Sequence, residues 1–179
     1  MELYLLILCL CTLCSIRSDR QVRVVSVEEF PAYEAYNEGV SLTRSNQTDA
    51  AIAAYLRAVS LKADLPEAHQ NLGMLYENKG DIESALLHHN KAVDLSAESS
   101  NTFRVGSLTN LAMALIKTGV NDHAVVEKAV AIFKEALQIE PKDENALFSL
   151  GSTYFNSRHY DLANETFFAL LDINPSNGT

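Results

Sequence analysis

The sequence predicts an all-α chain, a solenoid of stacked antiparallel helix pairs. Three observations carry that expectation. Small residues recur at an offset of 34: Gly39 with Gly73, Ala51 with Ala85, Ala58 with Ala92, and Ala129 with Ala163; Phe133 with Phe167 and Pro141 with Pro175 keep the same step. A period of that size marks repeated supersecondary units. Within a unit, alanine follows the small residue after 12 positions, from Gly39 to Ala51, Gly73 to Ala85 and Gly151 to Ala163, enough for two turns of helix, a tight turn and the start of a second helix running back. Finally, "NLGMLYENKGD" (71–81) places Gly73 inside a run whose leucines and tyrosine are spaced like one helix face. Glycine there costs about 0.8–1 kcal/mol relative to alanine. A close approach by the returning helix must offset that cost, so the two small residues are expected to face each other across each pair.

The chain opens with "MELYLLILCLCTLCSI", whose 14-residue apolar stretch Leu3–Ile16 is short of the roughly 20 residues of a spanning helix. Residues 1–18 are therefore expected to be a signal peptide that sends the chain into the secretory pathway, to the ER lumen or out of the cell. No base precedes the apolar core, and Arg17, Arg20 and Arg23 follow it; basic residues on that flank favour the alternative, a membrane anchor with cytosolic repeats. Cys9, Cys11 and Cys14 all lie in this segment, so cleavage would leave no thiol, disulfide or cysteine metal site. Residues 19–31 form an N-terminal arm, in which Ser26 and Glu29 suit a capping box with Pro31 in the first helical turn.

Four units follow over 32–177, at about 32–65, 66–99, 105–143 and 144–177. In the second, "KGD" at 79–81 supplies the turn, with Gly80 past the first helix and Asp81 capping the next. The third is extended. Ala58 to Gly73 and Ala136 to Gly151 are both 15 apart, whereas Ala92 to Ala112 is 20; Ala112 to Ala129 is 17 where the other units have 12. Five residues thus enter on each side of its first helix, around "SSNTF" and "VNDHA". Its contact pair is Ala112 and Ala129.

The stretches "AHQNLGMLYENKGDIESALLHHNKAVDL", "ALFSLGSTYFNSRHYDLANETFFALLDINP" and "AYNEGVSLTRSNQTDAAIAAYLRAVSL" resemble the tetratricopeptide repeat (TPR) family. In the third of these Glu38 stands where the family has leucine. The resemblance implies a right-handed α-solenoid of four helix-turn-helix units, the third extended. It also implies that the first helices line a concave groove, with residues two before the small position pointing inward: Asn37, Asn71, Asn110 and Ser149. An asparagine there resembles the amide ladder by which some members hold an extended peptide, since a carboxamide offers both donor and acceptor; the alternative is that these asparagines serve solubility or local bonding. Tyr36, Val40, Gln70, Met74, Met113, Ile116, Phe148 and Phe155, with Thr109 and Ser152, would complete a largely uncharged wall. Tyr36, Val40, Gly106 and Asn110 stand where a chaperone-tail clamp would need basic and amide residues, which argues against that class of partner.

The remaining chemistry is sparse. No nucleophile elbow, phosphate-cradling glycine loop, HExxH or CxxC is present, so no catalytic residue, no cofactor and no enzymatic activity are expected. Lys plus Arg total 14 against 23 Asp plus Glu, a formal charge of -9, which argues against nucleic acid as a partner. His69 and His89 fall where antiparallel packing would bring them together, with His88 pointing elsewhere; the pair would bind a metal or sense pH, or simply fill two aromatic slots, and the second reading is preferred, with no metal site. Asn46, Asn164 and Asn177 each begin a glycosylation pattern. Near the C-terminus Phe168, Leu171 and Ile173 would be partly bare, for self-association or a capping partner, because a solenoid end needs cover. The expected function is a non-catalytic adaptor for a protein or peptide segment. Two other readings stand beside it: the substrate-recognition portion of a larger secretory-pathway glycosyltransferase or hydroxylase, and a membrane-tethered cytosolic scaffold.

Overall fold

The computed structural model describes residues 29–173. The expected signal peptide, most of the arm including Ser26, and Asn177 lie outside the described residues. Among the described residues eight α-helices follow one another: α1 Phe30–Arg44, α2 Thr48–Leu61, α3 Pro66–Lys79, α4 Ile82–Leu95, α5 Asn101–Thr118, α6 His123–Ile139, α7 Glu144–Asn156 and α8 Tyr160–Ile173, with a short 3-10 turn at Ser96–Glu98. They pack as α1 on α2, α3 on α4, α5 on α6 and α7 on α8, and each second helix leans on the first helix of the next unit. Among first helices, α5 touches both α3 and α7. This is an α-solenoid of four helix pairs.

Local chemistry explains where the helices stop. After α3 the chain turns through Gly80 at φ 80, and the Gly80 and Asp81 amides donate to the carbonyls of Glu77 (2.9 Å) and Tyr76 (3.0 Å), a left-handed C-terminal cap. The same pair of bonds closes α1 around Asn46 (φ 58) and α7 around Arg158 (φ 65). Asp81 then caps α4 by accepting from the Ser84 amide at 3.1 Å. Asp122 and Asp143 cap α6 and α7 in the same way, through the amides of Ala124 and Ala146. Pro31 stands in the first turn of α1 as expected, but its N-cap Glu29 makes no side-chain capping bond and accepts from Lys62 instead.

The insertions of the third unit lengthen its helices. α5 has 18 residues and α6 has 17, where α3 and α4 have 14 each. "SSNTF" runs from the Ser100 cap into the first turn of α5, and "VNDHA" from the connecting turn into α6. An extra turn of helix satisfies its own backbone groups, which a longer loop would not.

The core differs from expectation at its closest approach. Ala51, Ala85, Ala112 and Ala129 are fully buried and Ala163 nearly so, but they are not what fills the glycine gap. A Cβ on Gly39 would stand 2.7 Å from the Tyr55 ring, one on Gly73 2.5 Å from His89, and one on Gly151 2.7 Å from Phe167. Each ring lies four residues beyond the alanine, one turn along the same face, and is long enough to fill the gap. In the third unit Phe133, 1% exposed, shares a buried cluster with Ala112 and Ala129. Burying one such ring contributes about 1.5–3 kcal/mol, more than the glycine costs.

Candidate binding groove

The expected groove residues separate into two environments. Between α5 and α7 lies a cleft of about 700 Å³ lined by Asn110, Met113, Ile116 and Phe148 of the expected set, together with Thr109, Ser149 and Ser152. The methionine and phenylalanine are 42% and 59% exposed, an accessible apolar wall. Among the described residues no hydrogen bond occupies the Asn110 carboxamide. Its neighbour Thr109 is 4% exposed, and its hydroxyl has no partner there either. A buried polar group left unpaired costs about 1–3 kcal/mol. Thr102, Lys117, Asp143 and Asn145 also line the cleft. They belong to helix ends and a connecting turn, which face arithmetic along a helix does not reach.

The first two units are arranged differently. The Asn71 carboxamide donates to the Tyr55 hydroxyl at 3.1 Å, tying the inner side of α3 to the ring beneath Gly39. Tyr36 packs against that ring with centroids 5.6 Å apart; burial, then the neighbouring Tyr55 and Glu67, raises its pKa above the ordinary 10.0. Gln70 reaches toward α5, its amide nitrogen 3.8 Å from where a Gly106 Cβ would stand. Val40 is half-buried against the first core cluster, whereas Asn37 and Met74 are exposed. None of these six lines the cleft. Phe155 is outside it too, edge-on to Tyr160 of α8 at 5.6 Å.

The histidines pair otherwise than expected. His69 Nδ1 lies 3.0 Å from Nδ1 of His88, not of His89, and the His88 ring stacks between His69 and Tyr76. His69 Nε2 donates to the Ala63 carbonyl at 3.2 Å, so in neutral His69 the other nitrogen is the acceptor, and His88 Nδ1 carries the shared proton. Burial holds the pKa of both below the ordinary 6.5, with His88 down at about 4, pushed further by its two histidine neighbours. His89 lies beneath Gly73, where its Nε2 is 3.1 Å from Glu77. Lys117 of α5 donates to the same carboxylate at 2.5 Å. Burial alone would raise the Glu77 pKa, but these two donors together hold it below the usual carboxylate value. Successive helix residues point about 100° apart, so the rotational setting of α4 about its axis decides which histidine meets His69.

Asn46 is exposed at its left-handed turn, and Asn164 is exposed on α8. Phe168 and Leu171 are 59% and 39% exposed, with Ile173 half-buried. Among the described residues no group of three His, Cys, Asp or Glu is placed to hold a metal ion, and no helix is long and apolar enough to cross a membrane.

Comparison with known proteins identifies the fold. Residues 39–80 match a family model described as TPR repeat, and residues 66–99 one described as Tetratricopeptide repeat. The chain is 28% identical over 115 residues to peptidyl-prolyl cis-trans isomerase FKBP4 of Bos taurus, a match covering 59% of this chain and 24% of that protein. It thus spans about a quarter of that relative's length. The crystal structure of MamA superposes with a TM-score of 0.70 at 19% identity, covering 82% of this chain and 80% of the other. The first TPR of Spaghetti (RPAP3), bound to the HSP90 peptide SRMEEVD, superposes at 0.64 with 17% identity, over 75% of this chain and 99% of that one. With the 34-residue period, the paired helices and the ring-filled glycine contacts, these matches show that residues 39–99 carry tetratricopeptide repeats and that the described helices share the fold of such arrays.

Proposed function

We propose that this chain is a non-catalytic adaptor that holds an extended, largely neutral segment of a partner protein in the cleft between α5 and α7. The observation that carries this reading is the pairing of unspent polar groups, the Asn110 carboxamide and the buried Thr109 hydroxyl, with an accessible apolar wall of Met113 and Phe148. The first supplies a partner for a peptide backbone. The second seats apolar side chains, and methionine adapts to several shapes.

The cleft has one lysine, Lys117, and its charge is met by Glu77. A strongly acidic tail of the kind bound in the RPAP3 structure therefore finds no unspent cation in it. Selection from a display library of random linear peptides tests the reading: the enriched sequences that Asn110→Ala or Phe148→Ala weakens, by about tenfold, should be neutral and contain an apolar residue. Acidic sequences among those that depend on Asn110 and Phe148, or no enriched sequence weakened by either variant, would overturn it.

We further propose a secretory route for the chain, supported by the apolar leader and the exposed Asn46 sequon. An unglycosylated chain with an intact N-terminus would instead favour the membrane-tethered cytosolic scaffold.

A further inference from the structure

A second cleft, of about 630 Å³, lies between α6 and the turn joining α7 to α8. Its floor is apolar, built from Val126, Val130, Tyr154 and Leu162. Its rim carries His123, Glu127, Lys134, Arg158 and His159. One carboxylate thus faces two fixed cations and two histidines, in a chain whose net charge is -9.

One further observation sets this rim apart. Lys134 and Arg158, like Arg44, Lys91, Lys128 and Lys142, have no carboxylate partner among the described residues, and of these six cations only Arg158 occupies a left-handed helix cap, that of α7, at φ 65. The matching caps are filled by Gly80 and Asn46, the two residue types that tolerate this conformation at least cost. An arginine there bears backbone strain that glycine would not, and strain of this kind is kept where the side chain has a use.

We propose that this cleft binds a carboxylate carried beside an apolar side chain on a peptide segment of a partner protein. Arg158 and Lys134 grip the carboxylate, the arginine through its paired N–H donors. The Val126, Val130 and Leu162 floor takes the apolar neighbour. Charge complementarity selects this occupant: the chain's overall negative field disfavours a polyanion such as nucleic acid, while a single carboxylate needs only the local cations. The inference is independent of the inner groove, which it adjoins at Asn156, a residue lining both clefts.

The test uses the whole chain and two pools of acetylated, amidated heptapeptides, randomised around a fixed central Glu-Leu or Gln-Leu. The Glu-Leu pool should be retained about tenfold more strongly at low salt, with the difference shrinking as salt rises. Arg158→Gly and Lys134→Gln should each abolish most of that difference, and Asn110→Ala should leave it intact. Arg158→Gly is informative because glycine suits the cap, so its melting temperature should hold or rise and lost binding cannot be blamed on unfolding. Equal retention of the two pools, or a preference that survives Arg158→Gly, would overturn the proposal. So would laurate binding that depends on Arg158 while neither pool is retained, which would assign the site to a lipid carboxylate.

Discussion

The imidazole of His89 fills the space that Gly73 leaves open, close enough that a Cβ on the glycine would stand 2.5 Å from the ring. Tyr55 and Phe167 stand in the same relation to Gly39 and Gly151. The first, second and fourth helix pairs are thus each closed by one ring seated on one glycine, and this contact supports the spacing of the array.

Gly73→Ala should therefore destabilise the chain by about 1–3 kcal/mol, because the buried ring it meets has little room to retreat. Gly106→Ala is the control. Its Cβ would find only the Gln70 amide, at 3.8 Å, so helix propensity should dominate and stability should rise by up to about 1 kcal/mol. Thermal melts of the two variants should move in opposite directions.

The asparagines of the expected ladder should behave unequally. Asn71 is hydrogen-bonded to Tyr55, so Asn71→Ala should lower stability by about 1 kcal/mol. Tyr55→Phe should reproduce much of that loss. Asn110→Ala should leave the melt nearly unchanged and act on peptide binding instead. Equal melting shifts for the two alanine variants would contradict this division.

Acid should weaken the second unit before it affects carboxylates. The His88 pKa is about 4 in the fold against an ordinary 6.5, so between those values the unfolded chain binds more protons and stability rises with pH. The His88 contribution is fully present above 6.5 and is lost as pH falls toward about 4; His69, also lowered, acts in the same direction. Denaturant melts at about pH 7 and about pH 5 should show this loss, and His88→Phe, which keeps a ring against Tyr76 without a proton, should reduce it. An identical pH response in the variant would refute the assignment.

If the chain follows the secretory route, Asn46 should carry sugar. Its exposed, left-handed turn presents the acceptor without helix unwinding, whereas Asn164 is held within α8. Endoglycosidase treatment of secreted material should shift the band, and Asn46→Gln should remove most of that shift.

The sequence by itself determined the repeat. Period, paired small residues and the Gly80–Asp81 turn are local features, written at fixed separations because each unit must bury the same face against its neighbours. It also located the third unit's insertions, although not their conversion into added helical turns. Only the tertiary structure decided which side chains meet: that a ring rather than an alanine fills the glycine gap, that His69 pairs with His88, and that Asn71 is spent in the core while Asn110 is not. These outcomes depend on the rotation and tilt of one helix against another and on how far each side chain reaches. One residue of helix turns a side chain by about 100°, so the rotational setting of each helix fixes its partners without altering the spacing visible along the chain.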